Sequence, residues 1–121
     1  MKHKVAQRSL GREAHHRRAL MRGLASQLLE HGAIVTTDAK AKELRKYIEP
    51  LITKAKQELT LALRRRLLRD LSATSVAALV GVAAEHKDRP GGYTRLTRLP
   101  RTRHDNAPEA RIEIISSSNA Q

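Results

Sequence analysis

Apolar residues recur at helical spacing through the first two thirds of the chain. The first stripe runs along one face of a helix from about Glu13 to His31 and consists of Leu20, Met21, Leu24, Ala25 and Leu28. Gly32 is a typical C-terminal stop for it. Further stripes with the same period run from Ala41 to Leu59, from Leu63 to Leu71 and, behind a candidate cap at Ser75, from residue 76 to 83. The pattern predicts four helices.

Three short segments have the character of strands instead. "AIVTT", residues 33–37, is β-branched and predicts a short buried strand. "YTRLTRL", residues 93–99, and "EARIEII", residues 109–115, alternate with period two and predict an antiparallel pair joined by a long basic loop. "RPGG", residues 89–92, breaks the preceding helix. The predicted order is helix, strand, three helices and two strands.

The predicted fold class is α+β, with about four helices packed on a small three-stranded mixed sheet and a basic N-terminal arm. Residues 1–12 show neither a helical nor a strand period, and we interpret them as a basic arm that orders on its partner. Residues 13–116 are expected to form a single domain, which agrees with a length of 121 residues. Residues 117–121 are polar and are expected to be a disordered tail.

Charge gives the first indication of a partner. Lys and Arg number 24 against 12 acidic residues, which gives a formal net charge of +12. The excess is concentrated in residues 1–22, where Glu13 is the only acid, and in residues 89–103, which contain five arginines and no acid. A solvated face that only keeps a protein soluble is typically mixed in sign, so these two segments favour binding to phosphates. We expect them to form one surface.

Other kinds of chemistry find little support in the sequence. The chain has no Cys, which excludes thiolate sites, and it carries none of the common catalytic motifs. Its six His include no i, i+4 pair with a nearby acid on a predicted helix, so no metal site is expected. Two Tyr without Phe or Trp offer few stacking platforms for bases, so charge and shape would dominate any nucleic-acid recognition. A DNA-binding module and a small enzyme remain alternatives.

Four blocks of sequence, in order and at fitting spacing, resemble one known family. They are "MKH" at the start with Leu10, Arg12, His16, Arg17 and Arg22; "TTDAKAKELRKYIEPLITKAK" at 36–56; "GGYTR" at 91–95; and "DNAP" at 105–108. Together they are similar to the bacterial large-subunit ribosomal protein seventeen family. The resemblance implies a non-enzymatic structural protein of the cytoplasmic ribosome that binds 23S ribosomal RNA near the polypeptide exit tunnel, beside neighbouring ribosomal proteins. It implies no cofactor, membrane or small-molecule substrate.

The candidate RNA-binding residues come from the resemblance and from the two basic segments. By matched position, the resemblance implies RNA contacts for Lys2, His3, Arg12, His16, Arg17, Arg22, Lys40, Lys42, Arg45 and Arg95. The basic segments add Lys4, Arg8, Arg18, Arg98, Arg101 and Arg103. No catalytic or metal-binding residue is expected.

Overall fold

The helices and strands follow one another in the predicted order. A computed structural model describes residues 13–100 and 104–115, so the expectations for an arm at 1–12 and a tail at 117–121 lie outside the described residues. The elements are α1 (Ala14–His31), β1 (Ala33–Thr37), α2 (Asp38–Ala55), α3 (Leu61–Asp70), α4 (Ala73–Glu85), β2 (Thr94–Arg98) and β3 (Glu109–Ile114). The α+β class is confirmed.

The sheet is antiparallel throughout, so the prediction of a mixed sheet is wrong. Its strand order is β1-β3-β2, and Ile34, Ile112 and Leu96 face one another across the three strands. β1 and β2 run in the same direction, but β3 lies between them and they never pair. β1 is therefore an edge strand rather than a buried one, and its Val35 is 53% exposed. A β-branched run identifies a strand but not its place in the sheet.

Short-range hydrogen bonds fix the ends of the helices. Gly32 adopts φ 81°, which glycine tolerates best, and its N–H bonds to the Leu28 carbonyl at 2.7 Å. Thr37 caps α2 by accepting from the Lys40 N–H at 3.4 Å, and Thr60 caps α3 in the same way. These two caps fix where α2 and α3 begin.

The predicted cap of α4 at Ser75 is wrong, because Ser72 performs that role. The Ser72 hydroxyl accepts from the Ser75 N–H at 3.3 Å. Ser75 is buried inside the first turn, and its hydroxyl bonds to Ser26 of α1 at 2.9 Å. Ser26 therefore faces α4.

The core lies between the helices and one face of the sheet. Each helix contributes fully buried or nearly buried apolar residues, and Ala110 and Ile112 close the core from β3. Leu28, Leu44, Ile48, Leu67 and Leu79 are each 0% exposed.

Within the described residues no single helix is long and apolar enough to cross a membrane. The pair α3 and α4, bent by 115° at their junction, reaches the required length and apolar composition only when the two helices are taken together.

Candidate nucleic-acid interface

The side of α1 that faces away from the core is basic. His15, His16, Arg18 and Arg22 are all exposed there, and we call these four residues the α1 basic face. Arg17 is half-buried beside them. Across residues 13–100 and 104–115, no carboxylate lies within 4.0 Å of the guanidinium groups of Arg17, Arg18 or Arg22. The apolar stripe of α1 turns these cations outward, and the fold leaves them without neutralising partners there.

The local electrostatics of α1 are unfavourable without an anion. Arg18 and Arg22 are four residues apart, a spacing at which like charges destabilise a helix by about 0.2–0.5 kcal/mol. The first turn contains no acidic residue, and the Glu13 side chain makes no capping bond. Cations beside the positive end of a helix dipole are also unfavourable. A phosphate bound here would relieve both kinds of repulsion.

The α2 cations are more often paired with carboxylates. Lys42 lies 3.1 Å from Asp38, and Lys46 lies 3.4 Å from Glu43. Arg45 is exposed and Lys40 is half-buried. The i, i+3 spacing of Glu43 and Lys46 is typical of a solvated surface pair, but Glu43 is only 7% exposed. Helical spacing identifies the pair, but α1 packing against α2 decides how much water reaches it.

A groove of about 370 Å³ separates α1 from α2 and ends at the last residue of α3. Four cationic side chains line it, together with two carboxylates and an apolar floor. The lining residues are Arg17, Arg18, Met21, Glu43, Lys46, Tyr47, Pro50, Leu51, Lys54 and Asp70. We call this cleft the α1–α2 groove. Sequence reasoning missed Lys46, Tyr47 and Lys54 as candidate site residues, because only the packing of two helices brings them beside Arg17 and Arg18.

Tyr47 is fixed in the wall of this groove. Its hydroxyl donates to the backbone carbonyl of Asp70 at 2.7 Å, which ties α2 to the end of α3. Burial, reinforced by the negative charge of Asp70 and partly opposed by Arg22, raises the pKa of Tyr47 to about 12. The ring therefore remains a neutral hydrogen-bond donor at physiological pH.

A second, more open depression adjoins the α1–α2 groove. Lys46 and Pro50 line both, so the two are continuous. Arg45 borders the second depression, and Gly91 and Tyr93 close its far side. The cationic surface therefore extends from α1 across α2 to the segment that leads into β2.

Hydrogen bonds to buried groups hold that segment against α2. The Tyr93 hydroxyl bonds to Lys56 at 3.0 Å and to Thr53 at 3.1 Å, and Lys56 also donates to the Arg89 carbonyl. The Arg89 guanidinium donates back to the Gly92 carbonyl at 3.1 Å. The Arg89 guanidinium is therefore already hydrogen-bonded within the chain, although Arg89 belongs to the basic segment at residues 89–103.

Arg95 lies on the outer face of the sheet and is paired with a carboxylate of β3. Thr94 points toward α2 and bonds to Glu49 at 3.3 and 3.2 Å, so its neighbour Arg95 points to the outer face of the sheet. There it lies 3.5 Å from Glu113, which also pairs with Arg111 at 2.7 Å. Arg98 is exposed at the end of β2. Unlike Arg18 and Arg22, Arg95 is therefore paired within its own sheet. The expectation that residues 1–22 and 89–103 form one surface stays a prediction, because residues 1–12 and 101–103 lie outside the described residues.

The remaining candidates fall outside the described residues. They are Lys2, His3, Lys4, Arg8, Arg12, Arg101 and Arg103.

The start of α1 also brings together three groups of the kind that bind metal ions. Ligand atoms of Glu13, His15 and His16 lie within 4.8 Å of one another, and all three residues are exposed. The sequence search for i, i+4 pairs does not detect this spacing. Glu13 and His15 are 3.7 Å apart, an ordinary distance for a surface ion pair.

Comparison with known proteins identifies the family. The family model described as ribosomal protein L17 matches residues 20–115. The large ribosomal subunit protein bL17 of Syntrophotalea carbinolica is 42% identical over 117 residues, which cover 95% of this chain and 75% of that protein. The described helices and strands lie almost entirely within the matched region. The chain therefore belongs to the ribosomal protein L17 family, whose members are structural, non-enzymatic proteins of the large ribosomal subunit in the bacterial cytoplasm.

Proposed function

We propose that this chain binds 23S ribosomal RNA near the polypeptide exit tunnel, through phosphate contacts from Arg, Lys and His side chains. The observation that carries the proposal is the α1 basic face, whose Arg18 and Arg22 have no carboxylate partner in the part of the chain that the structure describes. Exposed cations without internal partners are free to neutralise phosphates. Neighbouring ribosomal proteins of the large subunit are the other proposed partners of this chain.

The proposed contacts divide into several groups. The α1 basic face and Arg17 make the central contact, and Lys40, Lys42 and Arg45 extend it along α2. Residues 1–12 form an arm that reaches further along the RNA, with contacts from Lys2, His3, Lys4, Arg8 and Arg12. Arg95, Arg98, Arg101 and Arg103 approach a different RNA segment from the hairpin side. Residues 13–116 act as one domain that joins these segments.

The mechanism requires no chemical step. Each cation that neutralises a phosphate releases condensed counterions, so the affinity falls as salt rises, with a log–log slope of roughly −0.7 to −0.9 per contact. With only two Tyr in the chain, recognition relies mainly on the position of phosphates and the shape of the RNA. The leucine-rich core keeps the cations at fixed separations, which selects RNA folds whose phosphates match them.

A competition experiment tests this proposal. A labelled 23S ribosomal RNA complex is challenged with unlabelled 23S RNA, small-subunit ribosomal RNA or duplex DNA at one fixed salt concentration. The proposal predicts that 23S RNA competes best. Equal competition by all three polyanions would show non-specific attraction only, and better competition by duplex DNA would support a DNA-binding module instead. Either result contradicts the proposal.

A further inference from the structure

The α1–α2 groove is a concave cleft, whereas a surface that only tracks phosphates does not need to be concave. Its volume of about 370 Å³ lies within the range of small-molecule clefts, about 300–1,000 Å³. Its floor is apolar, with Met21, Pro50 and Leu51, and one wall carries the Tyr47 ring. An apolar floor beside an aromatic ring accommodates a flat, uncharged group.

The rim of the groove carries an excess of positive charge. Arg17, Arg18, Lys46 and Lys54 line the groove together with the carboxylates of Glu43 and Asp70. Lys46 lies 3.4 Å from Glu43, so those two charges largely compensate each other. The positive charges of Arg17, Arg18 and Lys54 then exceed the single negative charge of Asp70. A ligand that is flat and apolar at one end and anionic at the other matches this arrangement.

An unpaired nucleotide combines these two properties. Its base has two π-faces that stack on aromatic rings or guanidinium planes, and its phosphates are the anions. A base within a duplex is stacked between its neighbours and does not reach an enclosed cleft, so duplex RNA meets proteins through its backbone and shallow minor groove. The carboxylates of an acidic peptide would match the positive charge of the groove, but they offer no flat ring to lie against Tyr47.

We propose that the α1–α2 groove holds one unpaired nucleotide of RNA, with its base against Tyr47 and the apolar floor and its phosphates on Arg17, Arg18 and Lys54. The inference rests on the proposed function and specifies the kind of RNA segment that α1 meets. Tyr47 suits this role because its hydrogen bond to the Asp70 carbonyl already fixes the ring, so little side-chain freedom is lost on binding.

The composition of the chain provides a direct probe. Tyr47 and Tyr93 are its only aromatic residues besides His, and Tyr93 is 1% exposed. In the full-length Tyr93→Phe variant, tyrosine fluorescence therefore reports on Tyr47 alone. A short single-stranded RNA and an RNA duplex with the same number of phosphates are titrated separately, and gel shifts measure total binding. In the unaltered chain, NMR shifts of the Tyr47 ring protons report the same contact.

Single-stranded RNA is expected to quench Tyr47 and to move its ring protons upfield, whereas the duplex binds without either effect. Lys54→Ala is expected to weaken the quenching titration about fivefold, the loss of one exposed charge contact. The matched control Lys87→Ala removes the same charge from an exposed lysine outside the groove and is expected to change the titration by less than about twofold.

Three results would overturn the inference. They are equal quenching by the duplex, binding of single-stranded RNA with no change at Tyr47 in either readout, and stronger quenching by oligoglutamate, which would indicate a protein partner. The outcome is separable from that of the competition experiment. A chain that prefers 23S RNA but leaves Tyr47 unaffected overturns only this inference, and a chain that binds unpaired RNA at Tyr47 without preferring 23S RNA overturns only the proposed function.

Discussion

The structure sets how strongly the double substitution Arg18→Ala and Arg22→Ala should weaken RNA binding. Both guanidinium groups are exposed and lack carboxylate partners among the described residues, so each is available for one phosphate. Loss of two contacts flattens the log–log salt slope by about 1.4–1.8. Between about 1 M and 0.1 M salt, this corresponds to roughly 25- to 60-fold weaker binding at the lower concentration.

The same substitutions leave the fold intact. They remove a like-charge pair and introduce Ala, the best helix former, so the free energy of unfolding is expected to stay level or rise by a few tenths of a kcal/mol. Filter binding to 23S RNA over a salt series measures the slope, and urea unfolding followed by circular dichroism measures stability.

Arg65→Ala with Arg69→Ala is the matched control. These two arginines are also exposed and four residues apart, but they lie on α3, outside the α1 basic face. The control is expected to keep the slope close to that of the unaltered chain. An equal loss of slope in both double variants would refute the reasoning, because binding would then follow net charge and not the position of α1.

Three further predictions concern stability and ionisation. Leu28→Ala removes a side chain that is 0% exposed and should cost about 2–5 kcal/mol in urea unfolding, whereas Leu61→Ala, at a site 65% exposed, should change stability by less than about 0.5 kcal/mol; similar values would contradict the described core. Ser72→Ala removes the α4 cap and should cost about 1 kcal/mol in the same assay, and no loss would argue against that cap. The Tyr47 pKa of about 12 in the folded chain lies above its ordinary value of 10.0, so the unfolded chain releases this proton first and the free energy of unfolding should fall as pH rises from 10 to 12. Urea unfolding of the unaltered chain and of Tyr47→Phe over that pH range measures the difference, and identical pH profiles would exclude the shift.

The helices and strands were predictable because each has a local signal. The α1 stripe, the period-two runs and Gly32 specify their elements from neighbouring residues alone. Ser72 was missed because Ser75, three residues later, is an equally good capping residue by type. The choice between them depends on the contact that Ser75 makes with Ser26 of α1, which is distant in sequence.

The arrangement of the site was less predictable than the identity of its cations. The basic segment at residues 1–22 made Arg18 a candidate from the sequence, and the family resemblance added Arg22. The α1–α2 groove depends on the packing of two helices, so Lys54 and Tyr47 gave no signal of their own. The position of Arg95 depends on strand register, since a shift of one residue moves a side chain to the opposite face of the sheet.

A cryo-electron-microscopy reconstruction of the large ribosomal subunit carrying this chain is the most direct measurement. The expected result places the guanidinium groups of Arg18 and Arg22 about 2.7–2.9 Å from phosphate oxygens of 23S RNA, close to the exit of the polypeptide tunnel. A reconstruction in which both groups face solvent or the carboxylates of another protein would contradict the proposed role of α1.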